Sequence, residues 1–433
     1  VSATDHNYDL VMSSPDSPTV VVGAGIIGLS TAWHLADLGQ RVVVVDSGPA
    51  AGGTTTAGAG FVGLWAAGYA WYWNESERDV EQYGIDFYRR LSESGHGATG
   101  YRQNGNVWLT VTEEGRTDHI PPFAEHRFRP DGARTLSPAE AAELVPGLDP
   151  SAVTAGFLHP DGIQISAPDT AAALVSALRA RGVTFREHTP VTGLEARDGA
   201  VTGVRTVDGS VIVAGRVVLA AGSWTNTLLA PLGRELPTVR VVASRLVTKP
   251  FGLPGTLPTL MLPELQGLWI REHRGGLTYG AGPGYEPLFI GGSDRRTEPA
   301  RRPVRPDLLD AMRASLHPIV AKLLPDAASA LGADETATQG VVSMTADRNF
   351  IVGAVPELAG LVVAGGDNES GVTHGPGLGR IAAEISVTGT TTLGDARRYD
   401  PARFPAEAPT EQDVIGLMPA RREADARRAG AAA

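Results

Sequence analysis

A chain of 433 residues that is 42% hydrophobic and 20% charged has ample core for a globular protein and too little bias for disorder or membrane insertion. Its net charge of -11 would repel phosphate backbones, which argues against nucleic acid as a partner, and the absence of cysteine excludes disulfides, thiolate metal ligands and thioether-linked cofactors. No run approaches the roughly 20 apolar residues of a membrane span and no basic-then-apolar leader opens the chain, so a cytoplasmic protein without membrane contact or metal site is expected.

Residues 1–17 are polar and read as a disordered leader. TVVVGAGIIG, residues 19–28, then reads as the strand, turn and helix start of a dinucleotide-binding unit. Gly23 permits the tight turn, Gly25 lets the backbone approach a pyrophosphate, and Gly28 lets helix and strand pack closely. The N–H groups of the helix start face the phosphates. QRVVVVD ends at Asp46, close to the roughly 20-residue offset at which a carboxylate meets a ribose hydroxyl. From Ser47, the stretch SGPAAGGTTTAGAGFVGLW has few side chains to keep a ligand away and many N–H groups to offer it. WAAGYAWYW, residues 65–73, concentrates aromatics that suit either core or a pocket wall.

Residues 75–94 carry a helical stripe at Val80, Tyr83, Phe87 and Leu91. GNVWLTVTEEG reads as a strand ended by a turn, and Ser137 caps a short helix that Pro146 stops. An amphipathic helix at 169–181 leads into hairpin strands separated by Asp-Gly at 198–199 and 208–209. VVLAAGSW follows as a buried strand with a glycine turn. Short strand-like runs broken by Gly and Pro over 237–300 point to antiparallel sheet, and DLLDAMRASLHPIVAKLL to a helix pair interrupted at Pro318. Residues 361–389 repeat strand, glycine turn and helix, the helix beginning near Gly375. From 394 onward no apolar stripe commits the chain to a core.

In this order, VVVGAGIIGLSTAWHLA, GGTTTAGAGF, QYGIDFYRRL, TGYRQNGNVWLT, HPDGIQISAPDTAAAL, VVLAAGSW, WIREHRGGLTYG, SMTADRNFIVG and VVAGGDNESGVTHGPGLGR resemble the D-amino-acid-oxidase superfamily of flavoproteins. Within it the chain is most similar to the FAD oxidoreductase part of dimethylglycine and sarcosine dehydrogenases and to glycine and sarcosine oxidases. The resemblance implies an α/β (α+β) fold: a discontinuous Rossmann-like FAD-binding domain (18–66, 152–236 and 336–393) interleaved with an antiparallel-sheet substrate domain (67–151 and 237–335), before a C-terminal tail at 394–433. By motif, Gly23, Gly25, Gly28, Asp46 and Ser47 hold the adenosine and pyrophosphate, and Gly53, Thr54, Thr55, Ala59 and Gly60 line the flavin. Val191, Ala221, Gly222 and Trp224 fall on the adenine side, and Gly366, Asn368, Gly371, Val372 and Thr373 approach the isoalloxazine. There a helix N-terminus would stabilise negative charge on the reduced flavin.

The chain departs from its relatives at four positions. Ala57 stands where a flavin-linking histidine is common, so FAD is expected to be non-covalent. Thr278, Thr373 and Ala243 replace an oxygen-associated lysine, a carboxylate-binding lysine and a histidine. The resemblance implies oxidation of a secondary or tertiary amine to an imine by hydride transfer to flavin N5, with oxygen or an electron carrier as acceptor. The amine is an N-methyl or cyclic amino compound, with a specialised metabolite among the options. The rival is a flavoprotein catalysing a non-redox rearrangement or elimination, with FAD structural or assisting. Arg271 is a candidate to orient a substrate carboxylate, His374 to manage proton traffic beside the flavin turn, and Tyr279 to face the substrate from the roofing strands. A salt-bridged strand arginine and a helix-start histidine are the plainer alternatives for the first two.

Overall fold

The computed structural model describes residues 17–63, 75–287, 305–332, 334–404 and 414. The expected leader up to residue 16, the aromatic stretch at 65–73, the 288–300 part of the antiparallel region and nearly all of 405–433 lie outside them.

Thr19–Val22 is buried at every residue, as a strand covered on both faces must be. It lies inside a six-stranded sheet ordered Ile351–Ala354, Leu361–Gly365, Arg216–Leu219, Thr19–Val22, Val42–Val45 and Thr184–Arg186. All neighbours in it run parallel except the Ile351–Ala354 edge. The strand hands over to the Ile26–Asp37 helix through a turn that only glycine fits. Gly23 has a φ of 105°, and a Cβ on Gly28 would stand 1.9 Å from the Gly23 oxygen.

The Gly371–Thr388 helix lies against Ile26–Asp37. A Cβ on Gly379 would come within 2.6 Å of the Thr31 nitrogen, so the backbones touch where a side chain would hold them apart. On another side, Gly377 faces Val80 of the Glu75–Glu93 helix. The helix therefore starts at Gly371, one turn before the expected Gly375. Gly375, Pro376 and Gly377 are residue types that disfavour a helix interior, but here they make close packing possible. Pro376 has no N–H to give the Val372 carbonyl, and the Tyr88 hydroxyl donates to that carbonyl instead at 2.5 Å.

The second large sheet has nine strands and is antiparallel apart from one parallel pair, Thr259–Leu262 with Asn106–Thr110. Its longest pairing runs Thr238–Val247 against Thr336–Thr345 over ten residues. One face is covered by Pro306–Leu323, which is a single helix rather than the expected pair. Leu308, Met312, Leu316, Val320 and Leu323 are buried on both sides of Pro318. Burying five such side chains at about 1.5–3 kcal/mol each outweighs a proline penalty of about 3 kcal/mol. A second difference is the Glu113–Ala124 helix, which stands where a turn was expected and is capped by Thr112, whose hydroxyl accepts from the Gly115 N–H.

Residues 394–404 pack on the protein although they lack an apolar stripe. Specific contacts hold them: Tyr399 is fully buried, shares a hydrogen bond with Ser76 at 2.8 Å and offers its carbonyl to the Val352 N–H, and Arg403 pairs with Asp347 at 2.8 Å. No helix among the described residues is long and apolar enough to cross a membrane. Gly379→Ala forces the two packed helices apart and is expected to destabilise the fold by about 1–3 kcal/mol, read as a lowered urea midpoint at unchanged slope.

Candidate functional site

A cavity of about 660 Å³ runs from the parallel sheet to the antiparallel one. At the first end are the Gly23–Gly25 turn, Asp46 and Ser47, with Val191, Ala221, Gly222 and Trp224 beside them. At the far end stand Phe61, Trp108, Met261, Trp269 and Tyr285. The Thr54–Ala57 turn and the 367–373 turn form the walls between.

Threonines set the first wall. The Thr55 hydroxyl accepts from the Ile26 N–H at 2.8 Å, occupying one free donor of that helix start. Thr54 donates to the Val341 carbonyl at 2.8 Å, tying the turn to the antiparallel sheet. Asp46 accepts from the Ala24 N–H at 2.7 Å and the Gly48 N–H at 2.8 Å, one bond on each oxygen. A carboxylate has about four acceptor sites, so two remain for ligand hydroxyls.

All the residues expected to hold the cofactor line this cavity except Gly28 and Gly366. Gly28 lies beneath the turn, where its role is packing, and Gly366 is backed by Thr345 and Ile351. The donor set suits a dinucleotide. Two helix N-termini, at Gly25 and Gly371, and a free-sided carboxylate open on one space of ligand size.

The three catalytic candidates stand off the cavity wall. Tyr279 points to the opposite face of its strand, into the core under the Pro306–Leu323 helix, and donates to Glu335. Alternation along the strand puts its neighbours Thr278 and Gly280 on the cavity side. His374 is fully buried against Phe350, ring centroids 4.6 Å apart, and neither ring nitrogen has a hydrogen-bond partner among the described residues. Burial holds its pKa down at about 3, so it is a neutral core residue and not a proton carrier. Arg271 is 4% exposed and sits one layer behind the wall, its Nη2 3.3 Å from where a Cβ on Gly60 would stand. Its Nε and Nη1 are buried with no partner among the described residues. Burial, then Arg245 and Arg102, push its pKa down to about 9, against the pull of Glu272.

Sequence reasoning missed Arg245 and Glu369. Arg245 lines the cavity, donating from Nε to the Ala57 carbonyl and from Nη1 to the Thr278 hydroxyl, both at 2.9 Å. Its signal was a cation in the otherwise apolar strand VVASRLV. Glu369 also lines the cavity and accepts from the Tyr285 hydroxyl. Its signal was a charged side chain in a turn of glycine, asparagine and serine. Its side chain is exposed to the cavity, but desolvation by the enclosing walls, reinforced by Asp367 and opposed by the Tyr285 hydrogen bond, raises its pKa to about 7. Asp367 rises to about 6, also through burial. The aromatic wall comes, among the described residues, from Phe61, Trp108, Trp224, Trp269 and Tyr285, with Phe61 and Trp269 rings 5.3 Å apart.

Residues 19–385 match the family described as DAO, FAD dependent oxidoreductase. The chain is 31% identical over 398 residues to a 4-methylaminobutanoate oxidase (formaldehyde-forming) of Paenarthrobacter nicotinovorans, covering 89% of this chain but only 45% of that protein. It is 29% identical to a glycine oxidase of Pseudomonas putida, covering 88% of this chain and 97% of the relative. The fold matches glycine oxidase from Geobacillus kaustophilus with a TM-score of 0.75 at 24% identity, covering 90% and 99% of the two chains. This family uses FAD. Asp46→Ala removes the carboxylate left for ligand hydroxyls and is expected to weaken FAD binding to the stripped protein about 10- to 100-fold, measured by flavin fluorescence titration. Unchanged affinity would take Asp46 out of the cofactor site.

Proposed function

The chain belongs to the DAO family of FAD dependent oxidoreductases, and from that premise we propose that it oxidises a secondary or tertiary amine bearing a carboxylate to the corresponding imine. When bound, FAD supplies a two-electron acceptor for a C–H bond beside nitrogen. Non-covalent binding is part of the proposal, since the chain has no cysteine and no histidine lines the cavity among the described residues.

One observation carries the carboxylate: the buried guanidinium of Arg271, whose Nε and Nη1 have no hydrogen-bond partner among the described residues and which lies near enough to Arg245 to feel its charge. The acid acting on Arg271, Glu272, already faces Arg102 at 2.6 Å. A buried guanidinium with so little compensation is costly, and an anionic ligand group relieves that cost. The curated relatives support the class, because glycine and 4-methylaminobutanoate are both amino acids by their printed names.

The apolar end of the cavity supplies the other requirement. An alkylammonium must lose a proton before its lone pair can assist oxidation, and lowering its pKa by two or three units costs roughly 3–4 kcal/mol. Desolvation against Phe61, Trp108 and Trp269 pushes in that direction. Substrate positioning supplies the remainder, with Arg245 at one wall and the 367–373 turn at the other.

Anaerobic mixing with 4-methylaminobutanoate, N-methylglycine, N,N-dimethylglycine and a cyclic amino acid is expected to bleach the flavin lastingly for at least one of them. Product without lasting bleaching would favour the non-redox reading. Arg271→Met is expected to raise the half-saturating concentration of the carboxylated amine about 10- to 100-fold and to leave N-methylbutylamine unaffected. An equal effect on both sinks the carboxylate role. Acid precipitation is expected to leave the flavin in the supernatant; yellow precipitate would overturn non-covalent binding.

A further inference from the structure

In the cavity wall the 367–373 turn does something its composition does not require. Asn368 and Glu369 both take left-handed backbone, with φ of 46° and 73°. Two consecutive non-glycine residues in that region are strained, and such strain persists only where the surroundings fix it. Here they do: the Asn368 amide donates to the Arg348 and Gly366 carbonyls, its Oδ1 accepts from the Thr345 N–H at 2.8 Å, and its backbone N–H donates to the Ser343 carbonyl at 2.9 Å. Ser370 closes the turn onto the Asp367 carbonyl at 2.8 Å. The turn is thus built to carry a side chain at position 369, and that side chain is exposed to the cavity.

We propose that Glu369, held by the Tyr285 hydroxyl, is the group that receives the substrate nitrogen as a cation and accepts its proton. The inference rests on the amine-oxidising reading above and names the part of the site that reading leaves open. One carboxylate oxygen accepts from Tyr285, and the other has no hydrogen-bond partner among the described residues. No ion pair among the described residues neutralises Glu369, while Arg245 on the cavity wall and the buried Arg271 behind it bring positive charge to another part of the same site. That is the charge pattern of an amino acid zwitterion in reverse. In the proton transfer, the N–H bond of the ammonium breaks, an O–H bond forms on the free carboxylate oxygen, and the electron pair stays on nitrogen.

The titratable groups facing Glu369 are Asp367 from its own turn and Tyr285 from the neighbouring strand. Arg245 lies two residues beyond Ala243, the partner of Tyr285 in the sheet. Desolvation by the enclosing cavity walls raises the Glu369 pKa to about 7, with Asp367 adding to the rise and the Tyr285 hydrogen bond opposing it. Glu369 therefore changes charge in the neutral range, where it can both attract an ammonium and take its proton.

The test uses two probes of one shape on the holoenzyme. N,N,N-trimethylglycine carries a fixed positive charge and 3,3-dimethylbutanoate is its neutral isostere, both keeping the carboxylate. By calorimetry, the wild type at about pH 8.5 is expected to bind the cation about 10- to 100-fold more tightly than the isostere, and to lose that preference at about pH 5.5 as Glu369 protonates. Glu369→Gln loses the preference at both pH values while binding the isostere as the wild type does. Tyr285→Phe removes a hydrogen bond to the charged form, so the pH midpoint of the preference moves up. A preference that survives in Glu369→Gln overturns the assignment and leaves the amine-oxidising reading standing. Absence of preference in the wild type, with amines still bleaching the flavin, does the same. Absence of both removes the assignment and the reading together.

Discussion

The structure depends on one close contact, that of the Gly371–Thr388 helix with the Ile26–Asp37 helix. Gly375 against Ile26, and Gly379 against Ser30 and Thr31, let the two backbones approach to where a methyl group would collide. Because the helices meet over these positions, both N-termini open on the same cavity, and their aligned peptide dipoles add there. A bulkier contact would splay the ends and divide the cavity. The anchor at Tyr88, which satisfies the carbonyl that Pro376 leaves open, makes this glycine- and proline-rich segment a regular helix.

The antiparallel sheet adds a different kind of order. Its cavity face bears Arg245, Thr278 and Trp269, while its other face carries Leu246, Leu277 and Tyr279 into core. Strand alternation thus separates a reactive surface from a structural one within a single layer. Relatives with a lysine at position 278 would place a flexible cation where this chain has a small hydroxyl that receives Arg245. Positive charge here comes from a planar group fixed by the Ala57 carbonyl and Thr278.

Elements with strong local signals were readable from the sequence. The opening strand, turn and helix, the hairpins at the Asp-Gly pairs and the returning strand at 361–365 each follow from periodicity and glycine placement. The residues expected at the cofactor came from glycine spacing in the opening motif and from the family resemblance elsewhere, and most of them line the cavity. Pro318 and the 375–377 segment misled, because their local preference for breaking a helix is overridden by long-range burial and by a hydroxyl from another helix. The catalytic side of the site was the least legible. Whether Tyr279 or Thr278 faces the ligand is a matter of strand parity, and the roles of Arg245 and Glu369 depend on neighbours far away in sequence. His374 sits next to a cavity residue in sequence, yet one helical step of about 100° turns it into core.

The order of strands in the parallel sheet also governs how the protein comes into being. Thr19–Val22 emerges first from the ribosome, but its neighbour Arg216–Leu219 and the strand beyond, Leu361–Gly365, follow hundreds of residues later. At about 5–20 residues per second the opening motif waits roughly 20–70 s before the Gly371–Thr388 helix is available to cover it. During that interval Thr19–Val22 has Val42–Val45 beside it but lacks the covering helix. The nascent chain thus has half a nucleotide site until residues 371–388 are made, so closure of that site waits for most of the chain between its two halves.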